Sequence, residues 1–391
     1  MTVTEGLMKV GSWSFKLDDA PLSVRQNLDW FANIVITPAR IKDPNVDLDD
    51  LLAAAVYSGI VTKRNQGEGE FGGPGLLGYL QTSKGHCGST ASVSGVPSWP
   101  ATFTQIIHQW ITGTANSNGL DYGTGYSATS TTVAEMDAED YYPRTKPLLD
   151  QAAAQTGNEY RCNPDGTVDW GIYSALFRYN TPTVLVSPGR HGTDGGITAL
   201  KLSRWDVNAD LDDFRNFAWM RSTDKAYTVS TSSAAGSLSS LKGWGGSVVL
   251  RYTDRLTTNS TDTGDVADAA TAAAALYAEP NYQIDCSVSD FCVPRLLTPG
   301  DYLLCYDPEN DLTGNYQIQA FFGSDLMAMR LRCVGYTWPI AAGMGVYGIK
   351  NGTTTITDLT DFVHWETGST RLELGSAPRR LRTSGSVTAL N

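Results

Sequence analysis

Histidine is scarce in this chain. There are four, His86, His108, His191 and His364, among 391 residues. They build no HExxH or ExxH pair, and the sequence holds neither a GxSxG elbow nor a GxxxxGK[ST] loop. His86 stands beside Cys87, but a catalytic thiol and imidazole meet through the fold rather than as chain neighbours. Basic charge is short as well: 29 Lys and Arg against 41 Asp and Glu leave a net charge of -12, which argues against a general nucleic-acid binder. No apolar run approaches the ~18 residues of a membrane span. The N-terminal MTVTEGLMKVGSWSFK lacks the basic-then-apolar layout of a signal peptide, so the protein is expected to stay where it is made. Six cysteines with no CxxC spacing give neither a disulfide framework nor a zinc site. The sequons at Asn259 and Asn351 carry no weight without a leader. No metal, cofactor or catalytic residue is expected.

What is present describes a β-rich chain with more than one core. With 391 residues, 41% of them hydrophobic, two to four domains are expected. KVGSWSFKL, WFANIVITPARI and VYSGIVTKR mix aromatic and β-branched residues and read as strands. Asp47, Asp49 and Asp50 lead into either a short helix or a loop. EFGGPGLLGYL contains a literal GxGxxG at Gly73, Gly75 and Gly78. A dinucleotide fingerprint needs a long helix after it and an acidic residue about 20 positions on. Here Pro74 stiffens the loop and a polar stretch follows, so a Gly-rich turn into one short helical turn is expected.

Residues 100–112 are expected to be helical, because Phe103, Ile106, Ile107, Trp110 and Ile111 fall on one stripe and Gly113 ends it. His108 lies beyond that stripe and reads as a surface residue. A strand pair is expected around DYGTGYSAT. A second helix, residues 146–156, is capped by Thr145 and carries Leu148, Leu149, Ala152 and Ala153 on one face. It runs into a hairpin in which the turn NPDG joins EYRC to TVDW. Pro164 fixes one corner of that turn and Gly166 takes the left-handed one. Tyr160, Cys162, Val168 and Trp170 should share a face. Helix then hairpin reads as an α+β unit, not as a parallel crossover. Further strands follow at TPTVLVSP, ITALKLSRWDV and FRNFAWMRS, then a low-complexity loop and an Ala-rich helix over 263–278. GDYLLCYDPE, NYQIQAFF, MAMRLRCVGYTWPI and GMGVYGIK suggest a barrel-like antiparallel unit, with a short strand pair within 357–366. The tail bearing Arg379, Arg380 and Arg382 reads as solvated. The acidic loop at Asp137, Glu139 and Asp140, beside Tyr141 and Tyr142, reads as solvated too, although its tyrosines could offer a sugar platform.

The order of YSGIVTKR, GPGLLGYLQTSKG, EYRCNPDGTVDWG, LTPGDYLLCYDPENDL, RLRCVGYTWPIAAGMGVYGI and TDLTDFVHWETG, over residues 9–375, resembles minor tail proteins of long-tailed actinobacterial phages, the baseplate or tail-tip hub proteins. The resemblance implies a multidomain, β-rich α+β fold with two barrel-like antiparallel domains and interleaved α/β parts. On that basis four segments are expected: an N-terminal barrel-like domain at 1–95, an α/β domain at 96–182, a second β-rich domain at 183–295 and a C-terminal barrel-like domain with the tail at 296–391. It further implies a homotrimer at the virion tail tip, made in the host cytoplasm. That trimer would join the tail tube and distal tail protein to other tip or fibre proteins around the path of the tape-measure protein and DNA. No catalysis, nucleic-acid recognition or stable membrane insertion is implied, and since the chain closes soon after its hub-like part no lysin domain is expected. Interface candidates are Tyr306, Asp307, Pro308 and Glu309 at a turn, and Trp338 at a strand end, where a core role is the first reading. The alternatives are a receptor- or carbohydrate-binding tail protein and, with less support, a cell-wall hydrolase.

Overall fold

A computed structural model describes residues 2–43, 45–65, 67–83, 100–112, 119–126, 132–133, 144–156, 158–172, 182–210, 217–221, 226–230, 256–257, 281–289, 296–310, 312–314, 316–365 and 367–375. The chain divides into two compact units, Met1–Trp205 with Cys286–Glu373, and Asp206–Asp285 with Leu374–Asn391. The expected helix over 263–278, the acidic loop at 137–142, the His86–Cys87 pair and the basic tail lie outside the described residues.

The N-terminal part is built of short strands: β1 (Thr2–Gly6), β2 (Ser12–Lys16), β3 (Asn33–Thr37), β4 (Tyr57–Ile60), β5 (Lys63–Asn65) and β6 (Glu70–Pro74). In β2 the alternation is visible, with Trp13 and Phe15 buried between exposed Ser12, Ser14 and Lys16. β4 is buried throughout and β3 nearly so, because their sheet is covered on both faces. Helix α1 (Leu22–Asn27) precedes β3, and α2 (Leu48–Ala53) follows it. Asp47 caps α2 by accepting from the Asp50 amide at 2.8 Å, which resolves the Asp-rich lead-in as a helix start. The GxGxxG stretch is β6 followed by a single 3-10 turn, Leu76–Gly78, and the one-turn α3 (Tyr79–Thr82).

Next come β7 (Ala101–Thr102), α4 (Phe103–Thr112), β8 (Asp121–Tyr126), β9 (Thr132–Val133), α5 (Thr145–Thr156), β10 (Asn158–Cys162) and β11 (Thr167–Ile172). The apolar stripe of α4 is fully internal, and the hairpin has the expected register, Tyr160 opposite Trp170 and Cys162 opposite Val168. Gly166 turns it with φ of 90°. One expectation is corrected here. β8 pairs with β11 in parallel, so α5 and β10 lie within a crossover between two parallel strands. β8 carries mostly exposed polar residues, and its pairing runs through the backbone, which leaves no hydrophobic signature.

The first unit continues with β12 (Val184–Ser187), β13 (Gly192–Asp194) and the start of β14 (Ile197–Asp210), which passes into the second unit at Asp206. In the second unit β15 (Phe217–Arg221) pairs antiparallel with β16 (Ala226–Ser230) and parallel with β17 (Leu256–Thr257). The chain continues with β18 (Asn281–Val288), β19 (Tyr302–Cys305), β20 (Tyr316–Phe321), β21 (Ser324–Pro339), β22 (Gly345–Ile349), β23 (Ile356–Asp358) and β24 (Thr370–Gly375). Strands β19, β12, β14, β18, β24 and β21 close into a six-stranded barrel, sealed by the β19–β21 pairing. The barrel is mixed, because β12 runs parallel to both β14 and β19. From β21 the sheet continues outward through β1, β2, β6 and β5. β22 pairs with β3 from the opposite end of the sequence, in a four-stranded sheet ordered β23, β22, β3, β4.

Candidate functional site

Of the five interface candidates, two are internal to the chain. Asp307 is 2% exposed and organises its own turn. It exchanges backbone hydrogen bonds with Leu312, and its carboxylate accepts from the Glu309 amide at 3.2 Å and from Asn310 Nδ2 at 2.7 Å. Trp338 is fully buried, opposite Val3 in the β1–β21 ladder and edge-on to Tyr57 at 6.5 Å. Tyr306 is half-buried against the cluster that includes Leu185, Ile318 and Phe321, with the Arg190 guanidinium 5.8 Å from its ring. Only Pro308 and Glu309 point outward. His108 is half-buried, stacked on Tyr122 at 4.1 Å and edge-on to Trp170 at 5.6 Å, so it closes the edge of the three-stranded sheet.

A cluster of buried and half-buried polar side chains lies where the β10–β11 hairpin meets β21 and the end of β1. Arg332 on β21 grips Glu159 on β10 with two parallel hydrogen bonds, Nη1 to Oε1 at 3.2 Å and Nη2 to Oε2 at 2.5 Å, and its Nε donates to the Gly300 carbonyl at 3.3 Å. Both side chains are buried, so each charge depends on the other for solvation. Beside them Arg161 lies 3.8 Å from Asp169 and 3.7 Å from Asp301. Asp169 is held in turn by the Thr124 amide and by Asn163 Nδ2. The Met8 amide donates to the Tyr160 carbonyl at 3.2 Å, a backbone tie between the β1 exit and the hairpin. Glu5 accepts from the Tyr336 hydroxyl at 2.9 Å, and burial pushes its carboxyl up to about 7 against the pull of that bond and of Arg161. Burial also raises the Cys162, Cys305 and Cys333 thiols, so none is poised as a thiolate. Among the described residues no group of three His, Cys, Asp or Glu side chains could hold a metal ion, and no helix is long and apolar enough to cross a membrane. The arrangement is a clasp that joins elements distant in the chain.

Neither a protein-family model nor a curated protein sequence matches the chain. Solved structures do. The 43 kDa tail protein of prophage MuSo2 from Shewanella oneidensis superposes with a TM-score of 0.52 at 9% identity, covering 96% of this chain and 92% of that one. Prophage tail protein gp18 from Listeria monocytogenes EGD-e gives 0.51 at 11% identity, covering 97% and 89%. The chain shares the fold of prophage tail proteins. The likeness spans nearly the whole length on both sides, so it concerns the whole architecture and not one module.

The surface carries features that the sequence reading missed. Trp30, Phe31 and Phe322 are 55%, 52% and 52% exposed. Phe31 and Phe322 also hold positive φ, 65° and 45°, an unusual state for residues other than glycine. Arg64 lies over the Trp30 ring at 5.4 Å, and the Phe322 amide donates to Asp194 at 2.6 Å. In the sequence these aromatics are indistinguishable from buried neighbours such as Phe321; at Phe31 and Phe322 the exposure goes with a left-handed backbone.

Proposed function

We propose that this chain is a structural protein of a phage tail, a homotrimeric tail-tip hub joining the tail tube and distal tail protein to other tip or fibre proteins around the path of tape-measure protein and DNA. The observation that supports this is the full-length likeness to two prophage tail proteins, taken with the order of motifs in the sequence. Fold alone does not dictate function. The second support is therefore chemical: the Glu159–Arg332 cluster serves to hold distant parts of the chain together, as a scaffold acting by contact requires. Net charge of -12 suits a ring through which DNA passes, because like charge keeps the polyanion from sticking. The outward side chains Pro308, Glu309, Trp30, Phe31 and Phe322 are the proposed contacts with neighbouring copies or tail proteins, while Trp338 and Asp307 act from inside by shaping the subunit.

Light scattering on the purified protein tests the reading. A species of three times the 42.2 kDa subunit mass is expected, with threefold rings in negative stain. A strict monomer at every concentration, without incorporation into particles, would falsify it.

A further inference from the structure

Two features on the surface of the first unit have opposite shape and opposite charge. One is a knob, formed by the exposed Trp30 and Phe31 in the loop between α1 and β3. Its backbone is fixed: the Phe31 amide donates to the Val61 carbonyl at 3.0 Å, and the Ala32 amide closes the turn on the Asp29 carbonyl at 3.1 Å. Arg64 on β5 lies over the Trp30 ring but makes no ion pair, and its buried Nε has no hydrogen-bond partner among the described residues. Exposed Lys63 beside it is unpaired as well. The nearest carboxylates along the chain are engaged elsewhere, Asp29 with the Asn351 amide and Glu68 with Asn65 Nδ2. The other feature is a hollow of about 700 Å3 beside α2 and β23. Half-buried Ile41, Val46, Leu48 and Ile356 line it, with exposed Asp43 and Asp47 at its edge. Arg40 there is held by Asp358 and Asp361, which leaves Lys42 alone against Asp43, Asp47 and the adjacent Asp49 and Asp50.

We propose that Trp30 and Phe31 of one copy seat in the hollow of a second copy, bringing Arg64 to Asp43 and Asp47, and that this is the head-to-tail contact of the ring. The inference rests on the homotrimeric reading and names its contact. Charge selects the occupant. The other large exposed apolar side chains among the described residues stand beside carboxylates: Phe322 and Met327 near Asp194 and Asp325, Tyr122 next to Asp121, and Leu22 shortly after Asp18 and Asp19. An acidic edge disfavours these and attracts a knob that carries unpaired cations. An aromatic and an arginine entering an apolar pocket are the usual carriers of binding energy at an interface. The fixed backbone of the knob lowers the ordering cost of docking. Knob and hollow share no residue, so the contact is heterologous, and its repetition builds a closed ring or a filament. A stable interface buries about 800 Å2 on each side, so the pair of aromatics anchors the contact and neighbouring surface completes it.

Charge reversal in the full-length chain, read by sedimentation, tests the pairing. Arg64→Glu and Asp43→Lys are each expected to weaken association at least about tenfold, and the two together in one chain to recover much of that loss, because every contact then has its charges exchanged. Parent trimers that neither substitution weakens, or losses that persist in the doubly substituted chain, overturn this contact and leave the tail-tip reading standing. A parent that stays monomeric at every concentration overturns both. Should either variant fail to fold, hydrogen exchange of the unmodified protein decides. The Val46 and Leu48 amides, beside the hollow, are expected to exchange more slowly in concentrated than in dilute protein. Exchange there that is unchanged at a concentration where trimers form overturns the contact.

Discussion

At the scale of single residues, the glycines of the GxGxxG stretch show how a motif can be formed for reasons unrelated to its usual ligand. A side chain at Gly73 would collide with the Ile60 carbonyl oxygen, and one at Gly75 with the Val10 carbonyl, so these positions let β6 and the turn after it lie directly on neighbouring backbone. Glu5 gives a pH prediction. Its pKa is raised in the fold, so the native state binds more protons than the unfolded chain between about 4.5 and 7. Its contribution is fully present below that window and is lost as pH rises through it. Because Glu5 is only partly shielded from solvent, the change should stay at or below about 3 kcal/mol, at 1.4 kcal/mol per pH unit. Accordingly, thermal unfolding of Glu5→Gln should match the parent near pH 4.5 and exceed it at pH 8; equal melting temperatures at pH 8 would refute this. For Trp338, truncation to Ala empties a fully buried site and should cost about 3–5 kcal/mol in urea unfolding. A loss under about 1 kcal/mol would mean that its packing matters little.

At the scale of elements, the β10–β11 hairpin is made locally and seated from a distance. Its turn, register and inward face follow from Pro164, Gly166 and the parity of Tyr160 and Trp170. Its placement depends on Arg332, 173 positions away from Glu159 along the chain. Breaking this pair from one side leaves a buried charge alone, so Arg332→Met should destabilise by about 3–5 kcal/mol. Replacing both partners, Arg332→Met with Glu159→Leu, should recover much of that loss, since an apolar pair needs no solvation. Equilibrium denaturation of both single variants and the double variant measures the coupling, and additive losses would show that the pair is not a unit.

At the scale of the whole molecule, the first unit takes residues from both ends of the sequence, with β1 paired to β21 and β3 to β22. Such non-local pairing ties both ends of the sequence into one unit. Replacing the exposed aromatics, Trp30→Ser with Phe31→Ser, should leave subunit unfolding within about 0.5 kcal/mol of the parent, as is usual for surface changes. The same variant should lower the fraction of the proposed trimer in sedimentation at micromolar concentration. Unchanged assembly would exclude this corner of the surface from the contact.

The hairpin, helix α4 with its stripe of Phe103, Ile106, Ile107, Trp110 and Ile111, and the short turn after Gly75 were all legible from the amino-acid sequence, because periodicity, caps and turn residues act over a few positions. The ordered motifs were enough to raise the tail-protein resemblance. The parallel pairing of β8 with β11, the closure of the barrel by β19 and β21, the union of β22 with β3 and the Glu159–Arg332 clasp were not legible. Backbone pairing has no side-chain code, and a buried ion pair looks in sequence like any surface Glu and Arg. The sequence by itself determined the local elements and the absence of the catalytic motifs sought. Only the tertiary structure decided which strands meet, which aromatics face outward and where Glu5 is set against Tyr336, because those outcomes depend on contacts between residues tens to hundreds of positions apart.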